Sequence, residues 1–75
     1  MKDHNAEIVN LKLSRHEVCD ILRATTHLFL EFKEEVRDPN TTEERRKIAA
    51  SSAKYWKDFH DRVEAQLDAF DEANA

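Results

Sequence analysis

Glycine is absent from this 75-residue chain, and proline and cysteine each occur once, at Pro39 and Cys19. Turns that need positive φ normally use glycine, so a chain without it has few tight turns and favours long helices over sheets. The same absence excludes glycine-rich phosphate loops and the strand-turn-helix nucleotide motifs. A single cysteine rules out an internal disulfide and fits a reducing, cytoplasmic setting. Long apolar runs are missing too. The longest, Leu28-Phe29-Leu30, is broken by Glu31, far short of the ~18 residues of a membrane span. The opening Met1-Lys2-Asp3-His4-Asn5 is polar with no apolar segment behind it, so no secretory leader is expected.

What is present is charge and helix-forming sequence. Net charge is −4, unevenly spread. Residues 1–57 hold eleven Lys/Arg against ten Asp/Glu, whereas residues 58–75 hold only Arg62 against six acidic residues. The acidic balance disfavours general electrostatic binding to nucleic acid. The acidic end reads first as a solvated surface. The basic first half of the second helix (Arg45, Arg46, Lys47, Lys54, Lys57) reads as a solvated face balanced by Glu43 and Glu44.

Two helices follow from local signals. In residues 7–13, Val9, Leu11 and Leu13 alternate with Asn10 and Lys12, the period of a half-buried extended segment. Ser14-Arg15-His16-Glu17 is a capping box, and Pro39 forces the residue before it out of the α region. The first helix is therefore expected over 15–37. Thr41-Thr42-Glu43-Glu44 reads as a second capping box with Thr41 as the cap, and the second helix is expected over 42–72. So short a link predicts an antiparallel hairpin. Residues 1–75 form one domain, all-α, preceded by a short extended segment.

Both helices carry heptad seams. The first presents Val18, Leu22, Thr25, Phe29, Phe32 and Val36. The second presents Ala49, Ala53, Trp56, His60, Val63, Leu67 and Phe70. Phe29 and Trp56 lie mid-seam, where burial should be deepest. At about 35 Å and 46 Å the helices differ in length. The end of the second, around Leu67 and Phe70, should overhang the start of the first, with Val9, Leu11 and Leu13 packed against it.

Each helix has more apolar surface than one seam uses. Ile21 and Leu28 flank one side of the first seam, with Cys19, Thr26 and Leu30 on the other. Ile48, Tyr55 and Phe59 flank the second. This surplus calls for a further layer, which the N-terminal segment or a second copy of the chain would supply. The expected interface is Val9, Leu11, Leu13, Ile21, Leu28, Leu30, Ile48, Tyr55 and Phe59, and a homodimer would form a four-helix bundle.

Candidate chemistry is sparse. His16, Cys19 and His60 invite comparison with zinc ligands, on the expectation that His60 lies near Val18. They lack a fourth ligand and a close-spaced cysteine pair, and packing explains Cys19 and His60 as well. The Glu-x-x-His pattern of di-iron bundles is absent, since Met1, Leu13, Ala24 and Lys57 stand three residues before the four histidines. His27 and Glu31 read as a solvated pair. No serine has a base and an orienting group beside it. No catalytic residue, cofactor or metal is expected.

The stretch Asn10-Leu11-Lys12-Leu13-Ser14-Arg15-His16-Glu17-Val18-Cys19-Asp20 resembles the start of small uncharacterised helical-hairpin proteins of Gram-positive bacteria and their phages. Lys54-Tyr55-Trp56-Lys57-Asp58-Phe59-His60-Asp61 and Gln66-Leu67-Asp68-Ala69-Phe70-Asp71 resemble their second half. The resemblance covers about a third of the chain and carries no biochemical role. The opening also looks like a ribbon-helix-helix DNA-binding protein, in which Asn10 and Lys12 would face the major groove. The long first helix, the missing glycine turn and the acidic charge count against that.

The leading expectation is a non-enzymatic protein-protein interaction module, a homodimer that also binds another protein as an accessory or inhibitor of a phage or mobile element. The alternatives are a DNA-binding regulator of ribbon-helix-helix type and a protein that sequesters a small ligand. No membrane association is expected.

Overall fold

Ser14 and Glu17 start the first helix as their spacing implies. In the computed structural model, which describes residues 4–75, the Ser14 hydroxyl accepts from the Glu17 amide at 3.1 Å, and the Glu17 carboxylate accepts from the Ser14 amide at 2.9 Å. Two otherwise orphaned donors are satisfied reciprocally. The amide and hydroxyl of Ser14 hold the Glu17 carboxyl below its ordinary range. Helix α1 spans Arg15–Arg37 and α2 spans Glu43–Ala73, after a single 3₁₀ turn at His4–Ala6. Residues 8–14 adopt no regular secondary structure, and no strand occurs among the described residues.

The break between the helices falls at Asp38-Pro39-Asn40. Asp38 sits at φ −70°, ψ 121°, as its position before proline requires. Its side chain accepts from the Asn40 amide at 2.9 Å and its carbonyl from the Thr41 amide at 3.1 Å. Those bonds commit Thr41 to the turn, so the cap of α2 is Thr42, not Thr41. The Thr42 hydroxyl accepts from the Arg45 amide at 3.2 Å. With Arg45 at the third helical position, Glu44 closes no capping box.

Neither helix closes with a left-handed residue, and no positive φ occurs among the described residues. Side chains do the work instead. At the end of α1 the Arg46 guanidinium donates to the carbonyls of Val36 at 3.0 Å, Asp38 at 3.2 Å and Thr41 at 3.1 Å. At the end of α2 the Asn74 amide and side chain both reach the Phe70 carbonyl, at 3.1 and 2.8 Å. Each arrangement satisfies carbonyls that a helix end leaves open.

The two helices pack as a hairpin. Its ends are marked by arginine-carboxylate pairs: Glu35 with Arg45 near the link, and Arg15 with Asp71 at the open end. The heptad residues line the contact, all buried or half-buried except Phe70, which is 53% exposed. The deepest burial is not at Phe29 and Trp56, which are half-buried, but at Ala49 (0% exposed), Thr25 (3%) and Ala53 (8%). Small side chains let the two helical backbones approach most closely, and larger ones splay outward from that line. Trp56 instead stands edge-on between Tyr55 (centroids 5.2 Å apart) and Phe59 (6.0 Å). The Thr25 hydroxyl is satisfied by the Leu22 carbonyl at 3.0 Å.

The result is a single layer, 16 Å in its thinnest dimension. The radius of gyration is 15.6 Å, against about 11 Å for a compact domain of this length. No large side chain is fully buried among the described residues.

Candidate interaction face

Seven residues separate Ile21 from Leu28 and Ile48 from Tyr55, and Phe59 follows Tyr55 by four, so each set forms one track along its helix. Glu35 continues the first track and Arg45 precedes the second by one turn. Their ion pair, with Arg45 Nη2 3.3 Å from Glu35 Oε2, lays the two tracks side by side. The Glu35 contact raises the pKa of Arg45 and keeps it a fixed charge.

Towards the open end the face deepens into a groove of about 410 Å³. Ile21 and Phe59 line it, together with Val18, Val63, Leu67 and Phe70 from the helices. Val9, Leu11 and Leu13 come alongside from the N-terminal segment. That segment is loosely seated: Val9 is 74% exposed and Leu11 72%. Tyr55 is 64% exposed, and Leu13, Ile48 and Phe70 are also well exposed.

Eight of the nine expected interface residues thus fall on one face. Leu30 does not. It lies two residues from Leu28, about 200° around α1, and is exposed on the other side.

Arg15 fastens the open end. Its Nε and Nη2 donate to the two carboxylate oxygens of Asp71, each at 2.8 Å. The pair bridges much of the overhang between helices of 23 and 31 residues. It holds the Asp71 carboxyl below its ordinary range and raises the guanidinium pKa further. Arg15 Nη1 also lies 3.8 Å from the Cys19 sulfur. Both partners are open to water, so the bidentate geometry fixes register more than it adds stability.

Arg45 and Arg46 were expected on a solvated face. Arg45 pairs across the hairpin and Arg46 closes α1. A helix end without glycine, with an arginine nine residues on, was the available signal for Arg46. Nothing local links Arg15 to Asp71 across 56 residues. The remaining basic residues of that face do sit in water, with Lys54 bonded to Asp58 at 3.0 Å and Lys57 to Asp61 at 2.9 Å. The Lys57 bond lowers the Asp61 pKa and raises that of Lys57.

The histidine and cysteine positions do not converge. Val18, Val63 and Leu67 line the groove, whereas His60 does not. His60 Nδ1 lies 3.5 Å from Asp61 Oδ1. His16 stands on the outer face of α1, 3.6 Å from Asp20. Among the described residues no group of three or more His, Cys, Asp or Glu side chains is placed to hold a metal ion. No helix of the described chain is long and apolar enough to cross a membrane.

Comparison of the chain with models of protein families, with curated proteins and with solved structures finds no match.

Proposed function

We propose that this protein is a non-enzymatic protein-protein interaction module that works as a homodimer. Two antiparallel hairpins meet through the face described above and form a four-helix bundle. The N-terminal arm is extended and lies along the joint, and the assembly acts in the cytoplasm. The observation that carries this reading is the mismatch of burial. Among the described residues no large side chain is fully enclosed in one chain, while Val9, Leu11, Ile48 and Tyr55 stand exposed on a shared face. Apolar surface left in water costs about 25 cal/mol for each Å². A few hundred Å² therefore amount to several kcal/mol, on the scale of a small domain's entire stability.

The wider role, an accessory or inhibitor protein of a phage or mobile element, rests on the resemblance of the two sequence blocks. The ribbon-helix-helix alternative finds less support, because α1 is 23 residues long.

Light scattering during gel filtration at micromolar concentration tests the dimer. The mass should be twice the 8.8 kDa of the chain. Tyr55→Glu, which places a charge on the face at little cost to the exposed position, should return the single-chain mass. A mass of 8.8 kDa for the unaltered protein removes the reading.

A further inference from the structure

We infer that the groove at the open end binds a single-chain amphiphile with an anionic head group, and that Arg62 receives the head. The groove belongs to the face proposed above to join two chains, so amphiphile and second copy would compete for it.

Its lining is selective. Fifteen Asp and Glu residues fall among the described ones, and none of them lines the groove. The two charged residues that do are both arginines, Arg15 and Arg62. Arg15 is committed to Asp71 through two bonds. Arg62 has no ion pair among the described residues, since Asp58, one turn before it, is bonded to Lys54. Arg62 is also the one basic residue between 58 and 75. Its cation thus stands without an ion-pair partner beside the apolar wall, in an otherwise acidic stretch of α2, and a carboxylate or sulfate can accept two parallel N–H bonds from its guanidinium fork.

The shape favours a linear ligand. The apolar wall runs from Phe59 to Phe70 along α2, about 16 Å at 1.5 Å per residue. The volume of about 410 Å³ lies within the ~300–1,000 Å³ usual for small-molecule sites. The chain's own arm does not fill this space, because Val9 and Leu11 remain largely in water. An alkyl chain along Val63 and Leu67, with its head at Arg62, would bury wall and tail together.

Trp56 supplies the readout. It is the only tryptophan and its ring stands 6.0 Å from Phe59 of the groove. Its fluorescence would be titrated with dodecanoate below the micellar concentration, with dodecyltrimethylammonium as the charge-reversed probe, and with anionic phospholipid vesicles. We expect a saturable 1:1 response to dodecanoate, at least ten-fold weaker for the cationic head. Arg62→Gln should weaken dodecanoate binding by a similar factor while circular dichroism stays unchanged. Should Arg62→Gln lose helix, Leu11→Glu, in the exposed arm, provides a second variant and should also abolish dodecanoate binding. Equal response to both head groups overturns the inference. So does dodecanoate binding that neither variant alters, and so does a response confined to anionic phospholipid vesicles, which would mark a membrane-surface contact instead. Light scattering on the same samples reports the dimer separately.

Discussion

The two ends of the hairpin are built by different means. At the link, polar groups close the structure: Asp38 fixes the turn, Arg46 donates to three carbonyls, and Arg45 pairs with Glu35. Just beyond, Thr25, Ala49 and Ala53 pack with almost no exposure. At the open end one exposed arginine-carboxylate pair holds the helices, and apolar side chains surround an unfilled groove. The link end is closed by its own polar groups, although Ile48 beside it stays exposed. The open end is where a second molecule has something to add.

Four changes would break or sharpen that contrast. Ala49→Leu forces a larger side chain into the closest approach of the helices and should have the largest effect, about 3 kcal/mol of stability. Urea denaturation should show it. A midpoint within error of the parent's would mean that the helices are not closely apposed there. Trp56→Ala, by contrast, truncates a half-buried ring and should fall short of the ~3–5 kcal/mol typical of a core tryptophan.

Arg46→Ala removes three bonds at the link and should cost about 1–2 kcal/mol. Arg46→Lys should recover little, because one ammonium cannot span the carbonyls of Val36, Asp38 and Thr41. Thermal melting of the pair distinguishes this geometric role from mere charge, and full rescue by lysine would contradict it.

Ser14→Ala removes the cap of α1 at the open end and should cost about 1 kcal/mol. Amide exchange should speed up in the first turn of α1 and stay unchanged near Thr25. Uniform acceleration along α1 would erase the distinction between the ends.

Acid gives the smallest effect. Asp71 and Glu17, both at the open end, have folded pKa values below their unfolded ones. The unfolded chain binds those protons more readily. Their contribution is therefore full at neutral pH and is lost as pH falls from about 4 through the depressed folded values. Exchange measured across that range should show the open end loosening before the link, and the reverse order would count against the assignment.

Much of this was legible in the sequence, and the parts that were not have physical reasons. Ser14 with Glu17, and Pro39, carry the bounds of α1 because capping and proline sterics act over three or four residues. The heptad spacing names the seam because it follows helical geometry. The cap of α2 slipped by one, from Thr41 to Thr42. Adjacent threonines satisfy the same pattern, and the choice between them depends on Asp38 taking the Thr41 amide. Burial was ranked by side-chain size, favouring Phe29 and Trp56, whereas closeness of backbones put it at Ala49 and Ala53. All eight residues on the shared face lie on helical tracks or in the arm's alternation, but only the fold shows that those tracks adjoin. Leu30 lies on the opposite flank of α1 from Ile21 and Leu28, as its spacing implies, and so takes no part in this face.

The Arg46 latch also has a bearing on the order in which the chain assembles. Arg46 reaches Val36 across only ten residues, whereas Arg15 reaches Asp71 across 56. Closing a short loop costs less entropy than closing a long one. The ensemble should therefore cross its barrier with the link formed and zip outward, the arm settling last. Substitutions near Arg46 would then slow refolding, while those near Asp71 would leave refolding unchanged and hasten unfolding. A chain that folds this way leaves its groove open until the final step.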